Sequence, residues 1–180
     1  MIYTKVLSGK LVQLRAVSLV DCNDNYIKWM NDYETNRFME TRWCMQNRET
    51  ITAFVESIRR SQDSYLFAII DKKSCKHIGN IKIGPINNRY GYADISYFIG
   101  DADFKGHGLA KDAVKVICEF GFSELRLHRI QAGVIDGNPA SEGVLLACGF
   151  QFEGRLRDKF VVEGQYADHL LYGLISKNGD

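Results

Sequence analysis

The run Phe104-Lys105-Gly106-His107-Gly108-Leu109-Ala110 has the residue types of an anion cradle. Gly106 and Gly108 carry no Cβ, so the backbone can turn successive N–H groups toward one point. A helix opening near Leu109 would aim its unpaired first-turn amides at the same place. A pyrophosphate suits that geometry. Lys105 and Lys111 can add positive charge, and His107 can donate to a phosphate oxygen without a catalytic part. The competing reading is an ordinary glycine turn between a strand and a helix. A second chemistry-bearing stretch, 36–43, mixes apolar Phe38, Met39 and Trp43 with Glu40 and Arg42. Such a mixture suits a recognition pocket: a flat ring can stack on Trp43, Glu40 can pair with an amine, and Arg42 can meet a carboxylate or phosphate. Phe38 and Met39 also fit a hydrophobic staple with the charges turned outward.

The elements that must position these residues follow from periodicity. Residues 91–100 are aromatic and β-branched between two glycines and predict a strand. Leu109, Ala113, Val116, Ile117 and Phe120 fall on one helical face. Upstream, the pattern predicts a strand over 11–16 and a helix face at Cys22, Tyr26, Trp29 and Met30. A second face, at Ile51, Phe54, Val55 and Ile58, follows Asn47 as N-cap. Strands over 65–71 and 77–83 follow, with 84–89 turning into the strand at 91–100. Downstream come a strand over 127–134, a helix over 142–148 and a hairpin over 150–174. That order predicts one domain, 1–180, with a mixed sheet and helices on its faces.

Composition narrows the function. The 180 residues are 46% hydrophobic, enough for one sizeable core. Lys plus Arg number 23 against 22 Asp plus Glu, so there is no basic field for nucleic acid. Cys22, Cys44, Cys75, Cys118 and Cys148 are scattered and lack zinc-ligand spacing, so they read as reduced thiols and no metal is expected. No run approaches a membrane span or a signal-peptide core, and a cytoplasmic protein without membrane partners is expected. A homodimer is left open.

Two nucleotide motifs are excluded. The triphosphatase loop needs Gly-Lys followed by Ser or Thr, which does not occur, and the dinucleotide fingerprint needs a small residue where Lys111 stands. The strand, Lys-x-x-Gly-x-Ala loop and helix instead resemble the GNAT superfamily of acetyl-CoA-dependent N-acetyltransferases, with Lys105 where Arg or Gln is usual. Asp136-Gly137-Asn138-Pro139-Ala140-Ser141, leading to Gly149-Phe150, is similar to the second acetyl-CoA motif of that superfamily. The segments at 11–17, 29–32 and 164–173 are similar to its ribosomal-protein N-terminal acetyltransferase branch. The resemblance implies an α/β (α+β) GNAT fold, with a mostly antiparallel twisted sheet, helices on both faces and a splayed central strand pair.

The resemblance also assigns roles. A backbone N–H at Phe98 or Ile99 would face the thioester oxygen, and the backbone from Lys105 to Ala110 would hold the diphosphate. Asn138 would bond the pantetheine amides. Asp94 stands where the family often has Glu and is the expected base, acting through one water; Glu40, Glu153 and Asp168 are rivals able to bind a substrate ammonium. The family's tyrosine acid is replaced by Leu145, which leaves Ser141, water or the acceptor's own proton. Ser141 reads first as a helix cap and second as a hydroxyl near the thiolate. The implied activity is direct acetyl transfer to a primary amine, with a small, nucleotide-linked amino sugar as the preferred acceptor. A protein N-terminus is the enzymatic alternative, and a non-catalytic acyl-CoA-binding regulatory module is the alternative of another class.

Overall fold

The computed structural model describes residues 3–177. An 8-stranded sheet runs in the order β1-β2-β3-β4-β5-β6-β8-β7. Its strands are β1 (Leu7–Ser8), β2 (Val12–Ala16), β3 (Tyr65–Asp71), β4 (His77–Asn87), β5 (Tyr92–Ile99), β6 (Arg129–Ile135), β7 (Gln151–Val162) and β8 (Gln165–Ile175). All neighbours are antiparallel except β5 and β6. The helices are α1 (Asp24–Asn31), α2 (Tyr33–Asn36), α3 (Arg48–Arg60), α4 (Leu109–Ser123) and α5 (Pro139–Ala147).

Side-chain alternation along the strands divides the core in two. Phe67 and Ile69 join the cluster that holds Ile117 and Phe120 of α4 and Leu145 of α5. Ala68, with Leu66 and Ile70 beside it, joins the cluster of Tyr26, Trp29, Ile51 and Val55 from α1 and α3. The apolar face expected on α4 is the one buried, each large side chain worth roughly 1.5–3 kcal/mol. The start of α4 has a further anchor: the Asp112 carboxylate accepts the amides of Lys10, Leu11 and Val12 at 3.2, 2.7 and 3.0 Å.

Several element boundaries differ from the sequence pattern, each for a local reason. β4 does not end at Ile83 but runs through Gly84-Pro85 to Asn87, with a bulge between Ile83 and Ile86 absorbing the irregular residues. α5 begins at Pro139, because the Asn138 side chain accepts the Ser141 amide at 3.2 Å and proline suits the first helical position. Asn138, and not Ser141, is therefore the cap. The segment expected between the first two helices holds α2 and a 3-10 turn, Glu40–Trp43.

The feature that positions the site lies at the centre of the sheet. β5 and β6 are paired only at Tyr92 with Arg129, Ala93 with Ile130 and Asp94 with Gln131. Beyond Asp94, β5 stays on β4 as far as Ile99 and β6 stays on β8 as far as Ile135. Their inner edges thus face each other across an open wedge.

Candidate active site

The glycine loop sits between the end of β5 and the start of α4. Gly106 and Gly108 have φ of +81° and +76°, left-handed values that a side chain would strain. The first helical hydrogen bond runs from the Asp112 amide to the Gly108 carbonyl at 3.0 Å. Among the described residues, the amides of Gly106, His107, Gly108, Leu109, Ala110 and Lys111 donate to no carbonyl of the chain. The cradle starts one residue later than expected, since the Lys105 amide is spent on the Ala102 carbonyl at 3.1 Å. The Lys105 ammonium also turns away from the loop and donates to Thr35 Oγ1 of α2 at 3.0 Å. His107 is exposed.

At the wedge, only one of the two amides named from the sequence faces the right way. Gly100 N–H donates to the Ile78 carbonyl at 2.8 Å. Alternation by two then turns the Phe98 amide onto β4 and the Ile99 amide to the unpaired edge. On the α5 side of the same edge stands Tyr97, which the sequence reading passed over. Its hydroxyl donates to the Ser141 carbonyl at 3.1 Å and lies 3.2 Å from Ser141 Oγ. Burial pushes the phenol up to about 12, against the pull of the Ser141 bond, so it stays protonated at neutral pH. Leu145 is fully buried in the core. Phenols on strands usually read as packing, and only the pairing with Ser141 marks this one.

The opposite face of the wedge carries Asp94, whose Oδ1 accepts from Gln131 Nε2 at 3.1 Å. His169 of β8, also unremarked in the sequence, belongs to this face: a Cβ built on Gly133 of β6 would fall 1.8 Å from its Nε2. Its Nδ1 is 3.0 Å from Lys159 Nζ. Burial and then the Lys159 charge lower the imidazole pKa, with Asp94 opposing them.

The acceptor residues scatter. A cavity of about 390 Å³ lies between Tyr33, Arg37, Arg42 and Trp43 on one side and Val161–Gly164 at the β7–β8 turn on the other. Trp43 is 63% exposed, so one of its faces is free to stack while Arg42 covers the ring at 4.6 Å. The Arg42 guanidinium is committed, donating to the Met39 carbonyl at 2.7 Å, the Val161 carbonyl at 2.9 Å and Glu40 at 3.3 Å. It fastens the 3-10 turn to β7. The Glu40 side chain is 70% exposed and points outward. Asp168 does not join this wall: it meets Arg155 at 3.0 Å and accepts the Asp158 amide at 2.9 Å. Glu153 is paired with Arg129. Two contacts draw the acceptor segment to the donor loops, Lys105 to Thr35 and Phe38 packed 3.9 Å from a Cβ position at Gly137. Among the described residues no cluster could hold a metal ion, and no helix is long and apolar enough to cross a membrane.

An outward-facing amide cradle at the mouth of a splayed parallel strand pair is what an acyl-CoA thioester needs. Residues 12–151 match the acetyltransferase (GNAT) domain model, and the chain belongs to that family. It is an acetyl-CoA-dependent N-acetyltransferase. It is 30% identical to the spermidine N(1)-acetyltransferase of Escherichia coli (strain K12), over 88% of this chain and 83% of the other. It is 26% identical to the ribosomal protein uS5-alanine N-acetyltransferase of the same organism, over 67% and 62%. The Mycobacterium smegmatis RimJ structure in complex with CoA-disulfide superposes with a TM-score of 0.84 at 23% identity, covering 98% of this chain and 91% of that one.

Proposed function

We propose that the chain acetylates the α-amine of a protein or peptide N-terminus, directly from acetyl-CoA in a ternary complex. The observation that carries the donor half is the row of unpartnered amides from Gly106 to Lys111 beside the wedge. These amides hold the diphosphate and the helix dipole of α4 favours its charge. The thioester enters between Tyr97 and Ile99 on one edge and β6 on the other, where the Ile99 amide polarises its oxygen. Asn138 keeps its side chain on the Ser141 amide, which leaves its NH₂ group for the pantetheine. Asp94 takes the ammonium proton through water. Tyr97 and Ser141, joined by a hydrogen bond, solvate and protonate the departing thiolate.

The acceptor reading rests on the wall. With Arg42 bound to two backbone carbonyls, the cation expected to meet a nucleotide diphosphate is already occupied. Arg37 and Arg42 outnumber the one acid of the cavity wall, Glu163, which works against a polyamine. An open cavity with aromatic Tyr33 and Trp43 suits a peptide's first side chains. An amino sugar remains the second reading because Trp43 is free to stack on a ring.

The test is release of free thiol from acetyl-CoA with Ala- and Ser-starting peptides, spermidine, and UDP- and dTDP-amino sugars in parallel. Turnover greatest on a peptide is expected. Turnover confined to an amino sugar or spermidine overturns the acceptor reading, and acetyl-CoA binding with no release on any amine overturns the catalytic one.

A further inference from the structure

β7 departs from β8 in two places, between Phe152 and Gly154 and, more widely, between Leu156 and Phe160. Leu156 pairs with His169 and Phe160 pairs with Ala167, so 157–159 of β7 stand opposite the single residue Asp168. Asp158 takes φ of +51° there, and its amide is pinned by Asp168 Oδ1 at 2.9 Å. Bulges of this kind re-aim side chains beside active sites. This one turns Lys159 back over β8, placing its Nζ 3.0 Å from His169 Nδ1 and 5.4 Å from the Phe160 ring centroid. Phe160 also meets the imidazole edge-on, with centroids 5.0 Å apart. The ring is thereby held from two sides, and its far nitrogen lies over Gly133, where no other residue leaves room.

A lysine ammonium only donates. Nδ1 must therefore accept, and in the neutral imidazole the proton resides on Nε2. Nε2–H lies over β6 on the Asp94 face. Gly133 is two residues beyond Gln131, the register partner of Asp94, which is about 7 Å along the strand at 3.3 Å per residue. A gap of that size is bridged by two waters in line, each hydrogen bond being about 2.8 Å long. The charged groups facing the ring are Lys159 from β7 and Asp94 from β5; β6 offers only Gly133 there, and Arg129 lower on the face is paired with Glu153. Burial and Lys159 keep the ring neutral at physiological pH.

We infer that His169, its tautomer set by Lys159, is a positioning residue that donates from Nε2–H to the first of two waters through which Asp94 deprotonates the acceptor amine. This rests on the acetyl-transfer reading above. The first water accepts from Nε2–H, donates to the second and has a lone pair left for the incoming ammonium, and the second donates to Asp94. One ammonium proton passes to the first water as that water's own proton passes to the second and the second's to Asp94. The amine lone pair forms the C–N bond, and the C–S bond breaks with its electrons on sulfur. The second nitrogen proton leaves as the thiolate is protonated, giving amide and free thiol. His169 keeps its proton throughout.

Two measurements test this. Long-range ¹H–¹⁵N correlation of the imidazole at pH 7 should give the Nε2–H tautomer in the parent enzyme and a mixture of tautomers in Lys159→Met; an Nδ1–H tautomer in the parent overturns the inference. With an Ala-starting peptide, His169→Gln keeps a donor and should hold kcat within about tenfold. His169→Leu has none and should lose about 100-fold in kcat, with the KM for acetyl-CoA unchanged in both. Equal losses in the two variants, or a loss carried by the acetyl-CoA KM, overturn the assignment. Melting curves establish that each variant folds, and if His169→Leu does not, Lys159→Met, expected to lower kcat severalfold, replaces it, and unchanged kcat there overturns the inference. Absence of thiol release by the parent enzyme removes the acetyl-transfer reading itself, a result distinct from any difference between variants.

Discussion

The donor wall and the acceptor wall of the wedge are built from different materials. On the donor side the groups that face the ligand are main-chain amides, freed by two left-handed glycines and a helix start. On the acceptor side they are side chains, and the charged ones are already engaged: Arg42 with two carbonyls, Arg37 with Glu34 and Glu163 with Tyr33. Backbone chemistry depends on conformation and tolerates many sequences. Side-chain chemistry depends on which partner each group has found. The contrast teaches that one fold can keep its donor while its acceptor changes.

Three substitutions probe that division. Asp94→Asn removes the proton acceptor and should lower kcat by about 10²–10³ while acetyl-CoA affinity by calorimetry stays within twofold; an affinity loss matching the rate loss would join the two walls into one. Gly108→Val forces a β-branched residue to φ near +76° and should weaken acetyl-CoA binding about 10–100-fold. The kcat at saturating donor should change little, and a large fall in it would show that the cradle also sets the thioester's aim. Trp43→Ala, the mildest, should raise the peptide KM about three- to tenfold without altering acetyl-CoA binding.

The same division explains what could be read from the chain before its fold was known. The glycine loop and α4 were legible because Gly106, Gly108 and the apolar face from Leu109 to Phe120 state local conformation directly, whereas the splayed strand pair was only what the family resemblance implied. Asn47 announced α3 in the same way. Ser141 was misjudged as a cap because Asn138 and Pro139 also cap, and only the geometry decides between neighbours three residues apart. Phe98 and Ile99 were inseparable because the facing of an amide depends on register. Lys105 carried a plausible charge, but its amide and ammonium had local partners that no spacing rule reveals. Tyr97 and His169 gave no signal, since a tyrosine and a histidine in β-strands are ordinary core and surface residues. Their meaning comes from Ser141 and Lys159, 44 and 10 positions away.

The brief contact between β5 and β6 has a mechanical corollary. The sheet is continuous only through three residue pairs, so β1–β5 and β6–β8 are two leaves stitched along a short spine, each leaf bearing one lip of the cleft. Ala93 and Ile130 form the middle stitch, and both are wholly enclosed. The backbone ladder there holds the strands about 4.8 Å apart, so the place where pairing stops, just past Asp94, decides where the lips begin to part.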